Sequence, residues 1–190
     1  LYMVPSLALM SQTIREWKND CNEDFIAFSA CSDKKVGRVN DNSDQVQVNL
    51  NELAIPATTD SKNLGEEVSK VEKNKMIVIF STYQSIDVIS DAQKKFKMRP
   101  FDLIICDEAH RTTGATFEDE EDSYFVKIHE NKYVESKKRL YMTATPRIFG
   151  SKAKKKADEG SVELASMDDQ DKYGVEFFNR GFNWAVENNL

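Results

Sequence analysis

The chain has 190 residues, of which 40% are hydrophobic and 31% charged, and its formal net charge is −6. This balance fits one soluble globular domain with a real core, and it argues against a generally basic, histone-like nucleic-acid binder. No apolar run approaches the roughly 18 residues that suggest a membrane span. The three cysteines form no C-x-x-C pair. A disulfide framework or zinc site is therefore not expected, and reduced thiols in a cytoplasmic protein are.

The first part of the chain predicts strands that alternate with helices. Apolar residues recur at helical spacing from Leu7 to Trp17, directly after Ser6, which is a good helix cap. The polar segment at residues 34–58 predicts a loop or insertion, within which residues 45–48 are a candidate strand. The remaining elements predicted here are strands at residues 1–5 and 25–30 and helices at 7–18 and from 60 or 61 to about 73.

The second part of the chain continues the alternation. Continuous apolar runs at residues 76–81 and 101–106 are typical of strands buried on both faces of a parallel sheet. Pro100 ends the helix that lies between them. The remaining predicted elements are helices at residues 84–97, 124–131 and 182–190, a strand at 139–142, and a lysine-rich helix with Pro146 in its first turn. The pattern predicts an α/β fold with a doubly wound, mostly parallel sheet and helices on both faces.

Short polar segments follow four of the predicted strands. Ligands of doubly wound sheets bind beyond the carboxyl ends of the strands, so these segments should share one edge. The pair Asp107-Glu108 suits nucleotide hydrolysis, because one carboxylate can hold Mg²⁺ through water and the other can orient or deprotonate an attacking water. The alternative is a helix N-terminus with acids that have no catalytic role. The four segments are Pro5-Ser6, Ser81-Thr82, Asp107-Glu108 and Thr143-Ala144-Thr145.

Four signatures resemble those of superfamily-two (DEAD/DEAH-type) helicases, in the family's order. They are M-V-P-S-L-A-L-M-S-Q-T at residues 3–13 (motif Ia), F-S-T-Y-Q-S at 80–85 (motif Ib or its neighbour), D-E-A-H-R at 107–111 (motif II) and Y-M-T-A-T-P-R at 141–147 (motif III). The resemblance implies that residues 1–190 are part of a first RecA-like (P-loop NTPase) motor domain.

Two further segments are most similar to type I and type ISP-like restriction enzyme translocases (R-subunit sequences). They are D-E-A-H-R-T-T-G at residues 107–114 and Y-G-V-E-F at 173–177, which leads into F-N-W-A-V-E at 182–187. In that family such a segment leads from the first motor domain toward the second, so residues 173–190 are expected to do the same.

The resemblance also implies a role for each matched residue. Asp107 would help to hold Mg²⁺ through water, and Glu108 would activate the water that attacks ATP. His110 would belong with these two to the catalytic residues and, with Thr143, Ala144 and Thr145, would couple hydrolysis to strand movement. Nucleic-acid contacts, mostly with phosphates, would fall to Pro5, Ser6, Thr82 and Tyr83. The alternatives are a simple helix cap for Ser6 and a simple turn for Thr143 and Thr145.

The phosphate-binding signature G-x-x-x-x-G-K-[ST] does not occur in the sequence. The family places it before motif Ia, so we expect an N-terminally truncated domain that hydrolyses ATP negligibly by itself, although the full parent would use ATP with Mg²⁺. The expected partners are double-stranded DNA rather than RNA, ATP and other restriction–modification subunits or domains, with no membrane. The alternatives are an RNA or DNA-repair helicase and, in another class, a non-catalytic helicase-like binding or scaffold module.

Overall fold

The computed structural model describes residues 1–31, 55–117, 124–159 and 162–189. The strands are β1 (Tyr2–Val4), β2 (Phe25–Ala30), β3 (Ala57–Thr58), β4 (Met76–Thr82), β5 (Ile104–Cys106), β6 (Gly114–Phe117), β7 (Arg139–Tyr141) and β8 (Val162–Ala165). The helices are α1 (Leu7–Asp20), α2 (Ser61–Lys70), α3 (Ile86–Phe96), α4 (Ser151–Glu159), α5 (Gln170–Tyr173) and α6 (Phe182–Glu187). No helix within these ranges is both long and apolar enough to cross a membrane.

Six strands form one sheet in the order β3-β2-β4-β1-β5-β7. Every neighbouring pair in it is parallel. The short strand β1 lies in the middle, where Met3 is paired with Ser81 of β4 on one side and with Cys106 of β5 on the other. Because all six strands run the same way, their carboxyl ends meet at one edge of the sheet, as the sequence predicted.

Apolar cores lie on both faces of this sheet. Successive strand residues point to opposite faces, and in β4 Ile79 joins one cluster of buried side chains whereas Phe80 joins the other. The first cluster includes Leu64 of α2 and Ile89 of α3, and the second includes Ile14 of α1. Helices therefore cover both faces, which confirms the predicted doubly wound architecture and explains why its strands read as continuous apolar runs.

Helices α2 and α3 approach each other closely at Gly65. A Cβ atom at this position would lie 2.8 Å from the Cβ of Phe96 and 3.2 Å from the Phe96 carbonyl oxygen. The absence of a side chain at Gly65 thus sets the distance between the two helices on this face of the sheet. The start of α2 is fixed separately by Asp60, whose Oδ1 accepts hydrogen bonds from the backbone N–H groups of Lys62 and Asn63.

The helix predicted at residues 124–131 is wrong, because the structure has only a short 3₁₀ turn there, Lys127–His129. The reason lies in Arg139 at the start of β7. Its guanidinium donates hydrogen bonds to the backbone oxygens of Ile128 and Val134 at 2.7 and 2.8 Å. The Ile128 oxygen, which lies inside the predicted helix, is thus paired with a side chain, and the second bond holds the chain just beyond that segment in a loop.

The lysine-rich helix also begins later than predicted, at Ser151 rather than at Pro146. The intervening stretch bonds instead to the residues after β8: Met167 N–H donates to the Arg147 oxygen at 3.1 Å, and Phe149 N–H donates to Ser166 Oγ at 3.0 Å. These contacts hold the stretch in a non-helical path beside the two-stranded antiparallel sheet of β6 and β8, which the sequence did not predict.

The predicted loop at residues 34–58 is wrong at its end, because Ala57–Thr58 forms the edge strand β3 beside β2. Cys31 N–H donates to the Thr58 oxygen at 3.0 Å and extends this pairing. The rest of the loop up to residue 54, including the candidate strand at residues 45–48, lies outside the described residues.

Candidate active site

Asp107 lies directly after β5 and is held by four hydrogen bonds. Its backbone N–H donates to the Met3 oxygen at 2.9 Å, and its backbone oxygen accepts from the Tyr83 hydroxyl at 2.8 Å. Its carboxylate accepts from Glu108 N–H at Oδ1 (2.8 Å) and from the Tyr2 hydroxyl at Oδ2 (3.2 Å). Burial and the nearby charge of Asp107 raise the pKa of Tyr2, so this hydroxyl is a protonated donor. The carboxylate is therefore fixed at the strand tip.

Glu108 turns the chain sharply after Asp107. It adopts a left-handed backbone conformation, with φ 49° and ψ 45°, which costs a non-glycine residue roughly 1–2 kcal/mol. Strain of this kind is found at functional sites, where the surrounding structure holds it in place. The Glu108 side chain is 40% exposed, so its carboxylate can reach water.

His110 joins Glu108 to the turn after β7. Its Nδ1 lies 3.2 Å from Glu108 Oε2, 3.0 Å from Thr143 Oγ1 and 3.3 Å from Thr145 Oγ1. This ring nitrogen either donates a hydrogen bond to the carboxylate or accepts one from a threonine hydroxyl, depending on the tautomer. The carboxylate of Glu108 and the two threonines are thereby alternative partners of one atom.

The turn after β7 is itself ordered by local hydrogen bonds. Thr145 N–H donates to Thr143 Oγ1 at 3.1 Å, and Ala109 N–H donates to the Met142 oxygen at 2.9 Å. The segments at residues 107–110 and 143–145, predicted to share a sheet edge, are thus in direct contact. Ala144 is exposed within this turn.

The residues predicted to lie along nucleic acid sit at the same edge, but three of the four are buried. Pro5 is buried and its oxygen accepts from Gln84 Nε2 at 3.4 Å. Thr82 Oγ1 lies 2.8 Å from Ser85 Oγ, a pairing within the protein. Ser6 remains partly exposed, and its Oγ accepts from Leu9 N–H at 3.3 Å, so it does cap α1.

Tyr83 has no exposed surface, and its hydroxyl supports the Asp107 backbone. A nucleic-acid contact by this side chain therefore does not fit the structure. Tyr2, which bonds the Asp107 carboxylate, was not singled out from the sequence, although it lies on the strand next to β5. A polar tip on an otherwise apolar strand is the signal that could have identified it.

The acceptor capacity of Asp107 fits a magnesium ion held through water. Each of its carboxylate oxygens accepts one hydrogen bond and retains a further acceptor position. Across the described ranges, no group of three or more His, Cys, Asp or Glu side chains could hold a metal ion. Mg²⁺ is usually bound by one or two carboxylates, with waters and substrate phosphates as its other ligands. Asp107 can supply such a carboxylate.

The chain is similar in sequence to restriction enzymes and helicases. Residues 1–148 match the family described as "Type III restriction enzyme, res subunit". A protein of African swine fever virus described as a probable helicase is 31% identical over 147 residues, which cover 77% of this chain and 14% of the viral protein.

Two solved structures are similar over 99% of this chain. One is a nuclease-deletion mutant of the Type ISP restriction-modification enzyme LlaGI in complex with a DNA substrate mimic, with 37% identity and a TM-score of 0.69. The other is the ATP-dependent Type ISP restriction-modification enzyme LlaBIII bound to DNA, with 39% identity and a TM-score of 0.73. This chain spans only 13% and 12% of those two chains.

Proposed function

This chain belongs to the type III restriction enzyme res subunit family, and from that premise we propose that it works as part of an ATP-dependent DNA translocase in a restriction–modification enzyme. Its fold is that of a RecA-like first motor domain of a superfamily-two helicase, and it resembles the type ISP enzymes. We place residues 1–190 within that first motor domain, with residues 173–190 leading toward a second one.

One observation carries the proposal: His110 joins the Glu108 carboxylate to the Thr143–Thr145 turn at the carboxyl edge of the sheet. A helix N-terminus or a turn without a catalytic role does not require a histidine that contacts both a carboxylate and two threonine hydroxyls. A motor does require such a link, because chemistry at the nucleotide has to change the position of residues that follow neighbouring strands.

The residues of this chain divide the proposed chemistry among them. Asp107 is fixed by Tyr2 and Tyr83 and would hold Mg²⁺ through water. The ion, when bound, offsets the charge on the β- and γ-phosphates of ATP. Glu108 is exposed enough to orient a water molecule and accept its proton. His110 then exchanges its partner between Glu108 and a threonine hydroxyl, which couples the nucleotide state to the turn after β7.

The phosphate cradle is proposed to come from residues outside this sequence, which has no G-x-x-x-x-G-K-[ST] signature. Backbone amides and a lysine of such a loop are what hold the phosphates of a nucleotide. We therefore expect the full enzyme to hydrolyse ATP and these 190 residues alone to do so negligibly. We also propose a cytoplasmic location and association with the other domains of a restriction–modification enzyme.

The test is the Glu108→Gln variant of the full enzyme, measured for ATP hydrolysis with and without double-stranded DNA. Glutamine keeps the shape and the hydrogen bond to His110 but cannot take a proton. The rate should fall by about 10²–10⁴, the usual contribution of a general base. A matched control is Glu66→Gln, which removes only an exposed charge beside Lys62. The proposal fails if Glu108→Gln hydrolyses ATP at the wild-type rate, or if DNA does not stimulate the wild-type enzyme.

Stimulation of ATP hydrolysis by RNA instead of DNA would identify the alternative of an RNA helicase. A strand-separation assay would identify a DNA-repair helicase, because a restriction translocase leaves the two DNA strands paired. Double-stranded DNA is favoured here because the two similar type ISP enzymes were solved with a DNA substrate mimic and with DNA. A binding or scaffold module would need no carboxylate at Glu108, and its DNA affinity would be the same in Glu108→Gln with or without ATP.

A further inference from the structure

The 3₁₀ turn that follows Glu108, Ala109–Thr112, is held from behind by residues of distant segments. Thr112 is fully buried, and its Oγ1 donates to the Ala109 oxygen at 2.8 Å. The Tyr173 hydroxyl lies 3.1 Å from the same Oγ1. Because the single hydroxyl proton of Thr112 goes to a carbonyl, Tyr173 must be the donor in this second bond. A chain of two hydrogen bonds therefore runs from Tyr173 to the first residue of the turn.

His129 holds the other end of the turn. Its Nε2 lies 3.1 Å from the Thr112 backbone oxygen, which can only accept, so Nε2 carries the proton. Its Nδ1 then accepts from the Tyr141 hydroxyl at 2.9 Å. Burial lowers the pKa of His129, in agreement with the neutral tautomer that these two bonds require.

The three rings also pack on one another. The ring centroids are 4.8 Å apart for His129 and Tyr173, 4.9 Å for Tyr141 and Tyr173, and 5.3 Å for His129 and Tyr141. Aromatic pairs at such distances attract one another beyond their burial of surface. We call His129, Tyr141 and Tyr173 the aromatic clamp. It gathers a loop, a sheet strand and the short helix α5 around Thr112.

Tyr173 is the last residue of α5, and the chain beyond it is exposed although it carries large apolar side chains. Gly174 has a positive φ of 75°, and the following segment exposes large apolar side chains. Val175, Phe177 and Phe178 are 70%, 81% and 69% exposed. The clamp is therefore the point at which this exposed segment is tied to the turn that carries Glu108 and His110.

We propose that Tyr173 is a positioning residue for ATP hydrolysis, which acts through Thr112 on the turn that carries Glu108 and His110. This inference rests on the proposed function of the same site. Docked Tyr173 keeps the turn in its hydrolytic geometry. Movement of residues 174–189 that withdraws Tyr173 slows hydrolysis without weakening ATP binding, because Thr112 is fully buried and neither it nor Tyr173 is among the residues proposed to contact ATP or Mg²⁺.

The test compares Tyr173→Phe with wild type in the full enzyme. Phenylalanine keeps the ring packing and removes only the hydroxyl donor. DNA-stimulated kcat for ATP should fall about two- to tenfold, the effect of one lost hydrogen bond, with KM for ATP unchanged. In hydrogen–deuterium exchange, the peptide covering residues 107–114 should exchange faster. The control is Tyr133→Phe, which removes a hydroxyl from a ring that lies 5.4 Å from the ammonium groups of Lys94 and Lys127.

A second pair of variants separates positioning from general damage. Thr112→Ser keeps the hydroxyl and should retain the wild-type kcat. Thr112→Val should lose at least as much as Tyr173→Phe, because it removes the hydrogen bond to the Ala109 oxygen as well as the one from Tyr173. Combining Tyr173→Phe with Thr112→Val should cause no loss beyond that of Thr112→Val, because the Tyr173 hydroxyl has no partner once the Thr112 hydroxyl is gone.

Equal kcat and equal exchange in Tyr173→Phe and wild type would overturn the inference. So would a loss in Tyr173→Phe that appears only in KM. Should wild type lack DNA-stimulated hydrolysis, the proposed function fails instead, and the exchange of the 107–114 peptide still decides whether Tyr173 holds the turn.

Discussion

Arg139→Met removes the guanidinium that holds the loop before β7 by hydrogen bonds to its backbone. The guanidinium donates to the oxygens of Ile128 and Val134 and to Asn131 Oδ1, over 2.7 to 2.8 Å. Methionine keeps the apolar stem, so packing changes little while three hydrogen bonds are lost.

The expected cost follows from these bonds. Hydrogen bonds to a charged group contribute about 1.5–3 kcal/mol each, but Arg139 is only half-buried and water can replace part of what is lost. The local stability of residues 128–134 should therefore fall by about 2–4 kcal/mol rather than by the full sum. Since about 1.4 kcal/mol is a factor of ten, local opening becomes roughly 30 to 700 times more frequent.

Native-state hydrogen exchange measures this opening directly. The amides of Tyr133 and Val134 donate to the Glu130 oxygen at 3.0 and 3.2 Å and close the loop, so their exchange should accelerate by that factor. Arg99→Met is the control, because Arg99 is exposed. Exchange within twofold of wild type in a folded Arg139→Met protein would refute the reasoning that the side chain holds this loop.

Two further perturbations have outcomes that the structure fixes. Gly65→Ala should lower the melting temperature, because a Cβ atom 2.8 Å from Phe96 Cβ overpacks the site at a cost of about 1–3 kcal/mol, whereas the gain in helix propensity is at most about 1 kcal/mol. The control is Gly150→Ala, where nothing lies within 4 Å of the added Cβ atom. A higher melting temperature for Gly65→Ala would contradict the close approach of α2 and α3. Lowering the pH below the ordinary histidine value of 6.5 should destabilise the fold, because burial lowers the pKa of His129 and the unfolded chain binds the proton first. The stability that neutral His129 contributes is fully present above that pH and is lost as the pH falls toward the folded pKa. The melting temperature of His129→Gln should therefore depend less on pH than that of wild type, and an unchanged dependence would rule out His129 as its source.

The parallel sheet could be predicted because the residue pattern of each strand lies within the strand itself. The apolar run that forms β4 indicates burial on both faces without any knowledge of its partners. The rule that ligands bind beyond the carboxyl ends of the strands then predicted that the segments starting at Asp107 and Thr143 share one edge, where His110 contacts Thr143. The Ser6 cap and the end of α3 before Pro100 are equally local.

The failures are all non-local. The 124–131 prediction assumed that these residues pair with each other, whereas the Ile128 oxygen accepts a hydrogen bond from Arg139, which lies outside the segment. The pairing of Gly114 with Ala165 joins strands of four residues each, too short to carry a pattern. Tyr173 reaches Thr112 across 61 positions, and no spacing rule connects them.

The central place of β1 has a consequence for biosynthesis. Tyr2 pairs with Phe80 and Ile105, which a ribosome adds much later. At roughly 5–20 residues per second, the wait for the first of these partners is on the order of 4–16 s. Until then this apolar strand lacks both of the strands that flank it in the sheet, β4 and β5, and is a natural substrate for chaperones. Translational pausing while residues 5–80 of this sequence are added would prolong this exposure, so synonymous codon choice in that stretch should influence the yield of folded protein.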